Sequence, residues 1–332
     1  MILTTPLLAR LGTEGEVHVV ATPANAGVLA NHPAVTSVIL YDKRALDRGL
    51  GGLRRVAAAL RATGATTAYL AQGSWRTSAL ARLAGIEARI GFATSDGRWF
   101  YTQRVPYDRD RHHAQRLWML ASPAGGSDEV PVLRPALYPS AADVARVDEL
   151  LEAAGVHHSE RLVALAPGSV WATKRWPSYA ALAADLVAQW SDARVVVLGA
   201  TGDTALAAAI VAAVTQQGGR PALDTTGQLS LLGSAALLAR CAVLVSNDSA
   251  PLHLASAMNT PTVALFGPTV PALGFGPLAE RRQVIEESPL ACRPCHAHGP
   301  IRCPLGHWRC MRDIAPSRVA AAVAAVSSET PT

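Results

Sequence analysis

Short apolar runs rich in β-branched residues alternate with longer blocks in which apolar side chains recur every three or four positions. In the first half this pattern predicts strands at 17–21, 37–41, 67–71 and 89–92, with helices at 52–62 and 77–84. A polar, proline-rich stretch over 122–139 interrupts it. A helix at 141–154 then leads into a second series, with strands at 162–166, 194–198, 222–224, 242–246 and 262–266. Helices are expected at 179–190, 204–216, 231–240, 252–258 and 317–326.

Regular alternation of this kind is the signature of parallel sheets covered by helices, an α/β fold. Two successive Rossmann-like domains joined near 135–160 divide the chain as 1–150 and 151–315, leaving 316–332 as a terminal helix and tail. Such domains bind ligands at the carboxyl ends of their strands, and a pair of them leaves a cleft there. The residues just after each strand are therefore where chemistry is to be sought.

Composition sharpens this picture. Half of the 332 residues are hydrophobic and 17% are charged, which supplies real cores and argues against disorder. The net charge of +5 comes from arginine: of 30 basic residues only Lys43 and Lys174 are lysine. The charges are scattered, which suits phosphorylated small molecules or an anionic membrane surface better than nucleic acid. No apolar run is long enough to span a bilayer and no signal peptide is recognisable, so a cytoplasmic protein is expected.

Two segments carry candidate chemistry. In LVALAPGSVWATKRWP, residues 162–177, a buried strand ends in a Pro-Gly-Ser turn holding Ser169, followed by Thr173 and Lys174. A hydroxyl and an ammonium on a turn at a strand's carboxyl end suit a diphosphate, although an ordinary strand–turn–helix with a surface lysine reads the same way. In AVLVSNDSAPLHLASAMNTPTVALFGP, residues 242–268, a strand runs into Asp248, Ser249 and Ala250, and Pro251 opens a helix. Its amino terminus is an anion site with His253 on the first turn. The plainer alternative is that Asp248 or Ser249 caps the helix and His253 packs.

Four of five cysteines fall at Cys292, Cys295, Cys303 and Cys310, in a loop-like stretch over 292–310 rich in Pro, Gly and His. Four thiols at short spacing fit a structural zinc, with His296, His298 or His307 able to replace one ligand. Reduced loop cysteines or paired disulfides are the other readings.

PGSVWATKRWP followed by NDSAPLHLASAMNTPTVALFGPT resembles the signature of glycosyltransferase family 9, the ADP-heptose:lipopolysaccharide heptosyltransferases, and the similarity extends through Leu3-Thr4-Thr5-Pro6, Ser74-Trp75-Arg76 and the cysteine cluster. The second heptosyltransferase of inner-core synthesis is the nearest type. The resemblance implies a GT-B architecture, with acceptor in the first domain and nucleotide sugar in the second. It also implies inverting, metal-independent transfer of heptose from ADP-heptose to the lipopolysaccharide inner core. Another family 9 sugar or acceptor is the neighbouring alternative.

Carried onto this chain, the family's donor residues are Ser169, Thr173, Lys174, Asp248, Ser249, Ala250 and His253. Arg76, His112, His113 and Arg116 are candidates for an anionic acceptor, or else solvated surface charges. No cofactor is required for transfer. The acceptor's membrane anchor implies peripheral contact with the inner membrane.

The family usually opens with a strand and a Gly-Asp whose aspartate serves as general base, and that position falls immediately before Met1. The catalytic residue is therefore unassigned, and the first domain is expected to lack its first strand. A misplaced start is favoured, with Met1 standing where the family has valine. The alternative is a shortened nucleotide-sugar binder without turnover.

Overall fold

The computed structural model describes residues 1–122 and 130–327. Part of the polar stretch expected over 122–139, and the tail beyond 327, lie outside the described residues. The chain forms two compact units, Met1–Tyr138 and Pro139–Thr332.

The first unit holds β1 (His18–Ala21), β2 (Ser37–Leu40), β3 (Thr67–Leu70), β4 (Ala88–Phe92) and β5 (Gln103–Val105). All pairings are parallel, but the strands fall into two sheets, β1-β2 and β3-β4-β5. A core over both sheets is built by the helix Gly49–Ala62, whose Leu53, Val56, Ala57 and Leu60 fall at helical spacing and are buried. They pack with Leu70, Leu80 and Ile86, and with Val20 and Ile39 from the first sheet. The helix Trp75–Leu83 starts two residues before its predicted start, because the Ser74 hydroxyl accepts from the Thr77 N–H and caps it there. Most residues of β1 to β4 are only partly buried.

In the second unit β6 (Arg161–Ala166), β7 (Ala193–Val197), β8 (Leu223–Asp224), β9 (Val243–Asn247), β10 (Thr262–Phe266) and β11 (Arg282–Glu286) form one parallel sheet. Their order is β11-β10-β9-β6-β7-β8. The central strands are buried along their whole length, as a sheet covered on both faces requires. Val163, Leu165, Val195, Val197, Val243 and Val245 face one layer, against Leu182, Leu186, Val319 and Val323. Ala264 and Phe266 pack with Leu252 on the other face.

The unit boundary lies at Tyr138, not near 150, so the helix Ala141–Ala153 goes with the second unit. Its Val147 and Leu151 are buried, Asp143 accepts from Ser230 (2.9 Å), and Asp148 pairs with Arg240 (2.6 Å). The helix Pro316–Ser327 also belongs to this unit and contributes Val319, Ala322 and Val323 to its core. Strands β5 and β11 were not anticipated: β5 has three residues and β11 begins with exposed Arg282 and Gln283, so neither shows a clear apolar run.

Candidate functional site

In the second unit the strand order reverses between β6 and β9, which pair directly, Ala166 opposite Ser246. That reversal is the topological switch point at which open α/β sheets bind ligands. It places the Pro167-Gly168-Ser169 turn beside Asn247-Asp248-Ser249. Asn247, fully buried, holds the two together: its Nδ2 donates to the Pro167 carbonyl at 2.9 Å, and its Oδ1 accepts from the Trp176 N–H at 3.2 Å and the Tyr179 hydroxyl at 3.3 Å. A Cβ at Gly168 would meet the Asp203 carboxylate, which would have to move.

Lys174 and Asp248 meet across this junction. Lys174 Nζ donates to Asp248 Oδ2 at 2.6 Å and to the Asp248 carbonyl at 3.3 Å. Buried Thr269, just after β10, donates its hydroxyl to the same Oδ2 at 2.7 Å. The Asp248 carboxylate is thus occupied and does not cap the helix Ala250–Met258, and no side chain does. Ser249 instead approaches the Asn247 carbonyl at 3.3 Å. The capping alternative for this segment is not realised. The first helical turn, beginning at exposed Ala250 with Pro251 behind it, keeps its positive dipole end available to an anion. His253 lies on that turn, its ring 6.5 Å from Phe275.

The expected donor residues of the second unit therefore gather around one junction. Ser169 is partly buried, and its hydroxyl accepts from the Trp171 N–H (3.3 Å). Thr173 is buried, and its hydroxyl donates to the Pro300 carbonyl. Asn247, Thr269 and Arg293 were not singled out from sequence. Asn247 and Thr269 were readable as polar residues closing apolar strands; Arg293, inside the cysteine-rich stretch, carried no such signal.

That stretch braces the junction. Arg293 donates to the carbonyls of Phe266 (3.2 Å), Gly267, Thr269 (3.0 Å) and Glu287 (2.6 Å), and pairs with Glu286 at 2.8 Å. Trp308 Nε1 donates to the Thr173 carbonyl at 2.8 Å. Cys292, Cys295 and Cys303 line one pocket, whereas Cys310 is buried in the core beside Met311. All five cysteines are free thiols. The donor chemistry suits a thiophilic ion, but among the described residues no three Cys, His, Asp or Glu groups converge to hold one. The zinc expected from the spacing stays an expectation, and no chemical step is routed through a metal.

The family model for glycosyltransferase family 9 (heptosyltransferase) matches residues 53–305, about three quarters of the chain. The chain belongs to glycosyltransferase family 9. Among curated members, the lipooligosaccharide heptosyltransferase 2 of Haemophilus influenzae is 31% identical over 163 residues, 48% of this chain and 46% of that protein. The chain thus spans about half the length of the curated relatives it matches first. Among solved structures, Escherichia coli ADP-heptose lps heptosyltransferase II superposes with a TM-score of 0.79 at 25% identity, covering 98% of this chain and 95% of that one. A family 9 glycosyltransferase from Veillonella parvula superposes with a TM-score of 0.83 at 23% identity, covering 99% and 94%. Membership agrees with the fold: two α/β units in succession, the GT-B architecture of the family.

The four candidates for an anionic acceptor lie in the first unit, where intramolecular contacts engage them. Arg76 donates to the Tyr41 hydroxyl at 2.6 Å and to the carbonyls of Asp47 (3.2 Å) and Gly49 (3.3 Å). His112 caps the helix His113–Trp118 in a capping box with Gln115. Arg116 is buried on that helix, donating to the Asp108 carbonyl (2.8 Å), the Tyr107 hydroxyl (2.9 Å) and the Arg109 carbonyl (2.6 Å). His113 is the first residue of the same helix.

Proposed function

We propose that the chain transfers heptose from ADP-heptose to the inner core of lipopolysaccharide, with inversion at the anomeric carbon and without a metal. The observation that carries this reading is the Lys174–Asp248–Thr269 cluster beside an uncapped helix terminus, at the switch point of the second sheet. An ammonium, inward hydroxyls and backbone N–H groups on adjacent turns form a site for a diphosphate. The names of the relatives supply the sugar nucleotide and the acceptor class.

In this reading the acceptor oxygen attacks the anomeric carbon as the bond from that carbon to the β-phosphate oxygen breaks, and the electron pair leaves with ADP. Lys174 and the first-turn N–H groups, with Thr173 and His253 close by, stabilise the negative charge developing there. Asp248 holds Lys174 in place and Thr269 holds Asp248. Removal of the acceptor proton is a separate general-base step, to which this cluster contributes nothing. Arg76, His112, His113 and Arg116 belong to this reading as acceptor-side candidates. The setting is the cytoplasm, with peripheral contact at the inner membrane where the acceptor is anchored.

The test is turnover of ADP-heptose by the purified chain with a heptose-deficient core acceptor, monitored by ADP release and by the mass of the product. Heptose addition establishes the reading. Tight ADP binding without turnover moves the chain to the nucleotide-sugar binder class, and binding of neither nucleotide nor sugar nucleotide overturns both.

A further inference from the structure

Asp248 fixes the tip of the Lys174 side chain, but the turn beneath that lysine is held by other residues. This turn, Ala172–Lys174, closes with the Lys174 N–H on the Trp171 carbonyl (2.9 Å) and the Arg175 N–H on the Ala172 carbonyl (3.1 Å). The next N–H, that of Trp176, would continue the turn onto the Thr173 carbonyl, but it donates to Asn247 instead (3.2 Å). The carbonyl of buried Thr173 is thereby released, and the Trp308 indole N–H takes it up at 2.8 Å. A buried carbonyl left without a donor is costly, so this contact ties the turn to the ring.

Trp308 stands in an unusual backbone conformation. Its φ is +48°, in the left-handed region that a bulky side chain seldom enters. Among the described residues only Asn259 shares that region outside glycine, and it closes a helix there, as asparagine commonly does. For tryptophan the conformation is strained, and such strain persists where the surroundings over-determine it. Here they do: the Trp308 carbonyl accepts from the N–H groups of Met311 (3.2 Å) and Arg312 (3.1 Å), Cys310 and Met311 are buried in the core, and the indole packs on that same core.

Two further contacts from the same stretch flank the turn. The Thr173 hydroxyl donates to the Pro300 carbonyl. The Gly299 backbone lies against the Lys174 stem, so close that a Cβ there would come within 3.0 Å of Lys174 Cε. Turn and stem are thus both fixed by residues 299–308, and Nζ then reaches Asp248.

We infer that Trp308 is a positioning residue for the donor site: its indole N–H fixes the Thr173 carbonyl and with it the place of the Lys174 ammonium. The inference deepens the proposed function and rests on it for the diphosphate that the ammonium meets. Trp308 acts through Lys174 and takes no chemical step of its own.

The test uses the full chain with ADP as the probe. Trp308→Phe keeps an aromatic ring and deletes the N–H, and the ADP dissociation constant should rise several-fold. Trp308→Gly suits the left-handed backbone, so it relieves the strain while removing the ring, and ADP affinity should fall there too. A second readout needs no nucleotide. Lys174 is one of two lysines and its side chain is only 10% exposed, so its rate of acetylation, read by peptide mass against Lys43, reports how firmly the amine is held. In both variants Lys174 should acetylate several-fold faster while Lys43 keeps its rate. Trp190→Phe, which removes another indole packed on the same core, should leave both readouts as in the parent.

A Trp308 that only stabilises the fold would lower the melting temperature and leave ADP affinity and Lys174 acetylation unmoved. That result overturns the inference, as does an equal change in Trp190→Phe. A parent chain that binds no ADP overturns the donor reading and the inference with it, whereas equal binding of ADP by the parent and Trp308→Phe overturns the inference alone.

Discussion

Lys174 Nζ lies 2.6 Å from Asp248 Oδ2 although 74 residues separate them in the chain, and the contact ties the turn after β6 to the turn after β9. Both side chains are about nine-tenths buried, so the pair is held away from solvent; in the proposed function this places the lysine before a diphosphate arrives.

Replacing Lys174 with alanine should weaken ADP binding by more than about tenfold, the loss expected for a charged donor removed from a phosphate. It also strands the Asp248 carboxylate with Thr269 as its remaining side-chain partner, a cost on the order of 3 kcal/mol. Lys174→Arg should recover most of that stability but little of the affinity, because a planar guanidinium does not fit a site built for an ammonium. Titration calorimetry with ADP and urea denaturation separate the two effects; unchanged ADP affinity in Lys174→Ala removes the residue from the site.

Thr269 acts at one remove. Thr269→Val keeps its volume and deletes one hydrogen bond to a carboxylate, worth about 1.5 kcal/mol. ADP affinity should fall several-fold through a less fixed Asp248, and Thr269→Ser should restore it. A merely structural Thr269 would change the melting temperature and leave the ADP dissociation constant unmoved.

The cysteines should react in two classes with an aromatic disulfide reagent. Burial pushes Cys241 up to about 12. Burial, with the neighbouring thiols, pushes Cys310 up to about 11, so both should be silent until the chain unfolds. At Cys303 burial works against the thiolate, but the N–H groups of Trp308, Leu305, Gly306 and His307 outweigh it and hold the thiol below its ordinary range. Cys303 should react first, and its rate should rise at lower pH than that of Cys295, which burial and neighbouring thiols push up. Fast thiols that appear only after chelation, with one zinc released per chain, would instead establish the zinc site expected from the spacing.

Asp143 links two helices of the second unit, and its carboxyl sits below the usual range. Burial raises it, but the Ser140 hydroxyl and N–H and the Ser230 hydroxyl together pull it down. A depressed folded pKa contributes stability that is present above the unfolded value and lost as pH falls through the folded one. Asp143→Asn should therefore be less stable than the parent near neutral pH, and the difference should close as pH falls below the ordinary aspartate range. Denaturant midpoints measured across that range check the sign.

The junction of Lys174 and Asp248 was legible because its parts are local in sequence. Strand ends, a Pro-Gly-Ser turn, a lone lysine in an arginine-rich chain and a proline at the start of a helix each state their own geometry. What holds those parts together was not legible. Asn247 bonds to groups 68 to 80 residues away, and Arg293 reaches carbonyls 24 to 27 residues back. Such contacts depend on strand order, which hydrophobic periodicity does not encode. In the first unit, Arg76 stood out as a cation after a strand and Arg116 as one near the end of the domain, but the carbonyl and phenol oxygens to which they donate come near only in the folded chain. Strands β5 and β11 escaped notice because short or edge strands need no continuous apolar run.

The division of the first unit into a pair and a triplet of strands leaves it four ladder edges among the described residues, where the six-stranded sheet of the second unit has two. Amides along those edges have fewer neighbours to open against, and their strands are less deeply covered. On warming, the first unit should exchange its strand amides with solvent first, while the sheet of the second unit stays closed. The chain would then pass through a state that keeps the second sheet intact but presents bare β-edges in the first unit, ready to pair with any extended segment or with each other.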